Sequence, residues 1–152
     1  MSVITPQHRF SQKLSIRRAA SHSRRSERWA VILAGGDGTR LQAMTRSITG
    51  DDRPKQFVPV IGGSTLLEQT RRRVGLSVLP GHTLFVVTEK HQRFYRSMAD
   101  RVSASLLLEQ PANKGTTPAI LYALMRVAAK TPKAIVALFP SDHYFADDEA
   151  FM

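Results

Sequence analysis

The stretch Trp29-Ala-Val-Ile-Leu-Ala34, followed at once by Gly35-Gly-Asp-Gly-Thr-Arg-Leu41, indicates how the chain folds. A short apolar run bounded by glycine is typical of a strand buried on both faces of a sheet. The three glycines after it let the backbone approach a ligand closely, and successive amides there can form a nest for phosphate oxygens. A purely structural turn is the alternative interpretation. The spacing fits neither a P-loop nor the dinucleotide fingerprint.

Three more apolar runs alternate with segments of helical spacing. Strands are predicted at 29–34, 83–88, 105–109 and 134–139, and helices at 65–74, at 91–102 and from Thr117 onward. Such alternation implies right-handed crossovers and a largely parallel sheet, with ligands bound beyond the carboxyl ends of the strands. The predicted fold class is therefore α/β, a Rossmann-like sheet with helices on both faces.

The helix predictions rest on capping and on apolar stripes. Thr65 and Glu68 form a capping box at the start of the first helix. The second helix has one apolar stripe, formed by Phe94, Met98 and Val102. Thr117 is expected to cap the third helix, and Pro118 suits its first turn. The buried face of this third helix is predicted to consist of Ile120, Leu124, Val127 and Ala128.

Composition limits the chain to one domain with a basic extension. A chain of 152 residues, 42% hydrophobic, can bury one ordinary core. Seven of the 22 basic residues, but one of the twelve acidic residues, lie in positions 1–28. We expect this segment to be a disordered tail because it lacks apolar periodicity. An organelle transit peptide and a polyanion-binding tail are the alternatives.

The chain contains no cysteine, which excludes disulfides, thiolate metal sites and cysteine nucleophiles. No apolar run approaches the roughly 20 residues of a membrane span. We therefore expect a soluble, cytoplasmic protein with no membrane partner.

Three polar clusters follow. One comes after the glycine turn, and the other two lie near the ends of predicted strands. Lys55 is held between Pro54 and an apolar stretch, although a lone lysine is usually a solvated surface charge. The loop at 109–119 leads into a helix N-terminus, where the helix dipole favours anions, and its hydroxyl and amide groups can read a base edge or ribose. A simple capped helix is the plainer interpretation of this loop. Asp142 follows the last strand, a position suited to a Mg²⁺ ligand.

Five motifs occur in the order found in one family. They are Leu33-Ala-Gly-Gly-Asp-Gly-Thr-Arg-Leu41, Arg53-Pro-Lys-Gln-Phe57, Thr65-Leu-Leu-Glu-Gln-Thr70, Gly115-Thr-Thr-Pro-Ala-Ile120 and Pro140-Ser-Asp-His143. Together they resemble the mannose-1-phosphate guanylyltransferases of the sugar-nucleotide pyrophosphorylase superfamily. The resemblance spans nearly all of 29–152 and implies a fold of the nucleotide-diphospho-sugar transferase type.

The resemblance implies a reaction in which GTP and mannose 1-phosphate give GDP-mannose and pyrophosphate. Arg40 and Lys55 are the implied catalytic residues: Arg40 neutralises the departing pyrophosphate, and Lys55 bridges the reacting phosphates. Asp142 is the implied ligand of the Mg²⁺ cofactor. The remaining implied nucleotide-binding residues are Leu33, Ala34, Gly35, Gly36, Gly38, Thr39, Thr116, Thr117 and Pro118, of which the last three border guanine and ribose.

The resemblance also shapes two expectations about the chain as a whole. Relatives continue through a sugar-binding segment and a second metal-binding aspartate, so we expect a C-terminally incomplete fold with weak activity or none. An exposed sheet edge would favour partner pairing, which leaves a homo-oligomer open. The alternative hypothesis is a non-catalytic nucleotide-binding or interaction module whose basic tail contacts nucleic acid; for the enzyme, a nucleic-acid partner is not expected.

Overall fold

The computed structural model describes residues 27–60 and 62–152. Within these ranges the strands are β1 (Arg28–Leu33), β2 (Thr83–Thr88), β3 (Leu107–Gln110) and β4 (Ile135–Pro140). The α-helices are α1 (Gln42–Thr49), α2 (Leu66–Gly75), α3 (Gln92–Ala99), α4 (Thr116–Lys130) and α5 (Asp148–Phe151). The predicted tail at 1–28 lies almost wholly outside the described residues. β1 begins at Arg28, just inside the boundary expected for that tail.

The four strands form one parallel sheet in the order β3-β2-β1-β4. Ala30 on β1 pairs with Thr83 on β2 and with Ala137 on β4, which fixes the register across the centre of the sheet. Because every strand runs the same way, all four carboxyl ends meet at one edge. The predicted parallel α/β sheet is confirmed.

Apolar side chains cover both faces of the sheet. On one face, α2 and α3 pack Leu67, Val74, Tyr95 and Met98 against Ile32 and Phe85. On the other face, α4 packs Ala119, Ala123 and Val127 against Val31, Leu84 and Val86. Burial of each aliphatic side chain contributes about 1.5–3 kcal/mol. Helices on both faces, as predicted, therefore hold β1 and β2 in the centre of the core.

The prediction for the third helix was wrong in two details. Its buried face is Ala119, Ala123 and Val127, whereas Leu124 is 37% exposed and Ala128 is also exposed. Small alanines let the helix backbone approach the sheet, which turns the larger side chains outward. The helix begins at Thr116, so Thr117 lies within its first turn; the N-cap is Gly115 and makes no side-chain cap.

Two other helices show how well local sequence signals predict where helices form. The capping box of α2 forms as predicted: the Thr65 hydroxyl accepts from the Glu68 amide, and the Glu68 carboxylate accepts from the Thr65 amide. Helix α1 was not predicted. Its sequence is polar, and it ends at Gly50, which adopts the left-handed conformation that glycine favours at a helix terminus.

A buried arginine joins α2 to the segment after β4. The Arg73 side chain is 1% exposed, and its guanidinium pairs with Asp148. The same guanidinium lies 4.2 Å from the centre of the Phe145 ring and 5.9 Å from that of Phe151. A charge buried this deeply requires such a partner, so α5 is anchored to α2.

Candidate functional site

A cavity of about 340 Å³ opens at the carboxyl ends of the strands. Its walls come from the turn after β1, the segment before α2, the loop between β3 and α4, and the end of β4. The lining residues include Leu33, Gly35, Gly36, Gly38, Lys55, Gln56, Gln110, Asn113, Gly115, Thr116 and Asp142. The sheet thus brings together motifs that are more than 100 residues apart in sequence.

Three polar side chains fix the carbonyl groups of the glycine turn. Gln56, which is 3% exposed, donates through Nε2 to the carbonyl oxygens of Ala34 at 3.0 Å and Gly36 at 2.8 Å. The Thr88 hydroxyl donates to the Gly35 oxygen at 2.8 Å, and the Ser141 hydroxyl donates to the Leu33 oxygen at 2.7 Å. These donors come from three neighbouring segments, so the conformation of the turn depends on the whole sheet edge.

The amide groups of the same turn are left without protein acceptors. Among the described residues, the N–H groups of Gly35, Gly36 and Gly38 donate no hydrogen bond. With the carbonyls held and the amides available, the turn presents donors to a ligand. This arrangement supports the anion-binding interpretation of the turn.

Two glycines of the turn are required by the geometry. A Cβ atom on Gly35 would lie 2.9 Å from the Thr88 hydroxyl oxygen, which is closer than packing allows. Gly38 has a φ of +63°, and a Cβ there would lie 3.3 Å from the Lys55 amide nitrogen. Gly36, in contrast, faces open space. The turn is therefore pressed against the segment that carries Lys55.

Lys55 and Asp142 meet at the cavity wall. The Lys55 ammonium lies 2.5 Å from the Asp142 carboxylate, and the two side chains are 35% and 27% exposed. Lys55 begins a 3₁₀ turn, Lys55–Phe57, whose other two residues are buried. Asp142 comes two residues after β4. The ammonium and the carboxylate are thus held at one point although neither is fully withdrawn from water.

The segment leading to Lys55 is braced by an ion pair of its own. Arg53 donates from Nε to Asp51 Oδ1 at 2.7 Å and from Nη2 to Asp51 Oδ2 at 2.8 Å. This two-bond contact with Arg53 holds the pKa of the Asp51 carboxyl well below its usual range, against a smaller opposing effect of burial. Planar pairing of this kind restricts both side chains and so limits the approach of the chain to Pro54.

The far wall of the cavity carries groups suited to a heterocyclic base. Gln110 closes β3, and Asn113, Gly115 and Thr116 form the loop and the first residue of α4. Asn113 Oδ1 accepts from the Gly115 amide at 2.9 Å. Sequence reasoning pointed to the hydroxyl and amide groups of the 109–119 loop but did not single out Gln110 and Asn113. Gln110 is the last residue of β3 and Asn113 lies three residues beyond it, so their position at the carboxyl end of a strand was the available signal.

The predicted site residues divide into two groups. Leu33, Gly35, Gly36, Gly38, Lys55, Thr116 and Asp142 line the cavity. Ala34 is buried behind the turn, while Thr39, Arg40, Thr117 and Pro118 are exposed and lie outside the lining residues. Arg40 is in a 3₁₀ turn, Thr39–Leu41, that follows Gly38 directly.

The side chains of the cavity fit one Mg²⁺ ion that is coordinated mainly by a bound phosphate compound and by water. The described residues contain no cluster of three or more metal-binding side chains. Mg²⁺ typically uses one or two carboxylates and completes its shell with phosphates and water. Asp142, partly exposed at the cavity wall and paired with Lys55, is the lining carboxylate whose chemistry suits such an ion.

The chain matches one family model and several known proteins. The family model described as nucleotidyl transferase matches residues 29–152. The chain is 30% identical to the alginate biosynthesis protein AlgA of Pseudomonas aeruginosa, over 80% of this chain and 24% of that protein. It is 32% identical to the xanthan biosynthesis protein XanB of Xanthomonas campestris, over 80% of this chain and 25% of that protein.

A third relative, from Escherichia coli, is named mannose-1-phosphate guanylyltransferase and is 30% identical over 80% of this chain and 25% of its own length. The chain thus spans about a quarter of the length of these relatives. Among solved structures, a Thermus thermophilus protein described as mannose-1-phosphate geranyltransferase superposes with a TM-score of 0.69 and 35% identity, covering 82% of this chain and 35% of that one. In the described part of the chain, no helix has the length and apolar character needed to cross a membrane.

Proposed function

The chain belongs to the nucleotidyl transferase family, and from that premise we propose that its cavity binds GTP for transfer of a guanylyl group to mannose 1-phosphate. The observation that carries the proposal is that three kinds of group meet in one cavity. Unpaired amides of the glycine turn, the Lys55 ammonium and the Asp142 carboxylate all line one cavity at the carboxyl edge of the sheet. A triphosphate with its metal is the ligand that uses all three groups.

The proposed reaction is an in-line displacement at phosphorus. A phosphate oxygen of mannose 1-phosphate forms a bond to the α-phosphorus of GTP while the bond from that phosphorus to the β-phosphate bridging oxygen breaks. The products are GDP-mannose and pyrophosphate, and the electron pair of the broken bond leaves on pyrophosphate. Because two polyanions must approach each other, the protein's task is positioning and charge neutralisation.

Each cavity residue has a distinct part in that task. The amides of Gly35 and Gly36 donate to phosphate oxygens and fix the triphosphate chain. Lys55 exchanges its bond with Asp142 for bonds to the reacting phosphates, which offsets their charge. Asp142 is the residue that would hold Mg²⁺, and the ion would supply polarisation of the α-phosphate. Arg40 lies next to the turn but outside the cavity lining, and its part in the proposal is to neutralise the charge of the departing pyrophosphate.

The base-side wall supports recognition of a purine edge. Guanine presents both donors and acceptors, and the side-chain amide of Gln110 offers both kinds of group at this wall. Asn113 bonds to Asp37 and to the Gly115 amide and so holds the loop beside the base. Thr116, the first residue of α4, borders the ribose. A site that must satisfy such groups rejects bases that leave them unpaired.

Pyrophosphate release with Mg²⁺ and mannose 1-phosphate, measured with each of GTP, ATP, UTP and dTTP, tests the proposal. GTP binding is measured in parallel, so that binding without turnover, the outcome expected of a non-catalytic module, is recognised separately. Asp142→Asn and Lys55→Met are expected to reduce turnover at least about 100-fold. Asp100→Asn, at an exposed position after α3, is the matched control. Failure of every triphosphate to bind would refute the proposal.

A further inference from the structure

Asp37 is the one acidic residue of the glycine turn, and it faces away from the turn toward two other loops. Lys90 Nζ lies 2.6 Å from Asp37 Oδ1, and His91 Nε2 lies 3.3 Å from the same oxygen. Asn113 donates through Nδ2 to Asp37 Oδ2 at 3.3 Å. These four residues, which we call the Asp37 bridge, connect the ends of β1, β2 and β3.

Each contact of the bridge comes from an element that is itself fixed. Lys90 and His91 lie in the 3₁₀ turn Glu89–His91 directly after β2, and the His91 ring is buried. Asn113 uses its other side-chain atom to accept from the Gly115 amide at 2.9 Å, so it also sets the start of α4. Asp37 therefore ties the phosphate-side turn to the loop that forms the base-side wall.

The charges in the bridge favour an ionised Asp37. Partial burial opposes ionisation, but hydrogen bonds from Lys90 and Asn113, with the nearby positive charge of Lys90, lower the pKa of Asp37 below its ordinary value. Lys90 in turn balances the carboxylate, so no net charge from the pair faces an incoming polyanion. The bridge thus links the two walls of the cavity without adding repulsion toward a polyanion.

We propose that Asp37 is a positioning residue that sets the distance between the phosphate-binding turn and the base-binding loop through Asn113. The inference rests on the proposed function, since it concerns a ligand that spans both walls of the same cavity. Such a ligand benefits when the two walls are already at the correct separation, because binding then costs no ordering of the loops. A ligand that touches only the turn gains nothing from the bridge.

This difference supplies the test. We expect Asp37→Asn to weaken GTP binding to the full chain by about tenfold, the effect of losing one hydrogen bond to a charged group. Binding of inorganic triphosphate, which reaches only the turn, is expected to change less than about twofold. Asn113→Asp is expected to show the same pattern, because two carboxylates then face each other.

The exchanged pair Asp37→Asn with Asn113→Asp distinguishes positioning from general damage. The new amide at 37 can donate to the new carboxylate at 113, so GTP affinity is expected to recover to within about threefold of the original chain. Asp100→Asn is the control for loss of an exposed carboxylate. Thermal denaturation of each variant identifies any that unfold; the exchanged pair then decides the question because it keeps both chemical groups.

The inference would be overturned if Asp37→Asn weakened the binding of GTP and of triphosphate equally. It would also be overturned if the exchanged pair did not recover the GTP affinity of the original chain. Both outcomes leave the proposed function standing, because the original chain still binds GTP. If the original chain binds neither GTP nor triphosphate, the proposed function falls and this inference falls with it.

Discussion

Substitution of Gln56 provides a direct test of how the glycine turn is held. Gln56 is 3% exposed, and its amide nitrogen donates to two carbonyl oxygens, those of Ala34 and Gly36. Gln56→Met keeps the length of the side chain but removes both donors. At about 1 kcal/mol for each hydrogen bond, the free energy of unfolding should fall by about 2 kcal/mol. Because neither methionine nor the carbonyl groups titrate, this loss should not depend on pH.

Gln56→Glu makes the same site sensitive to pH. A protonated carboxyl group at position 56 has one O–H to donate, so about half of the original bonding survives at low pH. The ionised form would place a negative charge against two carbonyl oxygens, at a cost of about 3 kcal/mol or more. Its folded pKa is therefore raised above the unfolded value of about 4.3. The stability is present below that unfolded value and is lost as pH rises through the folded pKa.

The more stable of the two variants should be a different one at acid pH and at neutral pH. At about pH 4, Gln56→Glu is expected to be more stable than Gln56→Met, and at about pH 7 it is expected to be less stable. Urea denaturation followed by fluorescence of Trp29, the only tryptophan, measures both because that ring is 3% exposed in the core. His82 stacks on Trp29, so the original chain is measured across the same pH range. Parallel pH profiles for the two variants would refute the reasoning.

Three further predictions concern pH, the turn and the anchor of α5. Burial, against an opposing effect of the nearby acid, lowers the pKa of His91 from 6.5, so the unfolded chain binds more protons. The free energy of unfolding should then fall from about pH 7 to about pH 5 by at most about 1.4 kcal/mol per pH unit, and His91→Gln should reduce this slope in urea denaturation. Gly35→Ala should lower the melting temperature, which scanning calorimetry measures. Gly36→Ala should leave the melting temperature unchanged but weaken GTP binding, which a binding titration measures. Arg73→Met should cost about 2 kcal/mol by leaving Asp148 unpaired, and hydrogen exchange should become faster in 145–151. Unchanged exchange there would contradict the anchoring role.

Local patterns in the sequence were sufficient for much of the fold. The run Trp29-Ala-Val-Ile-Leu-Ala34 has apolar side chains on both faces, which only a central strand can bury, and β1 is indeed central. The capping box of Thr65 and Glu68 depends on residues three positions apart, so it too could be read directly. Helix α1 was not predicted because its eight residues include only two large apolar side chains, Met44 and Ile48, although Gly50 marked its end.

The sequence was sufficient to predict individual residues of the site but not the hydrogen bonds that join its distant segments. Lys55 and Asp142 were both predicted to face one ligand, and they lie 2.5 Å apart. The bonds from Gln56 and Ser141 to the glycine turn, however, depend on strand order and on register, which no local pattern specifies. The same holds for the contact of Asp37 with Asn113, which joins residues 76 positions apart.

The most direct test of the central claim is a titration of the ¹⁵N-labelled chain with GTP and Mg²⁺, followed by amide NMR signals. If the turn holds the triphosphate, the amides of Gly35, Gly36 and Gly38 should show the largest shifts, because they donate to no protein acceptor among the described residues before binding. Inorganic triphosphate should move the same three signals, and Lys55→Met should reduce the shifts at a given ligand concentration. Binding of GTP that leaves these three amides unchanged would contradict the account.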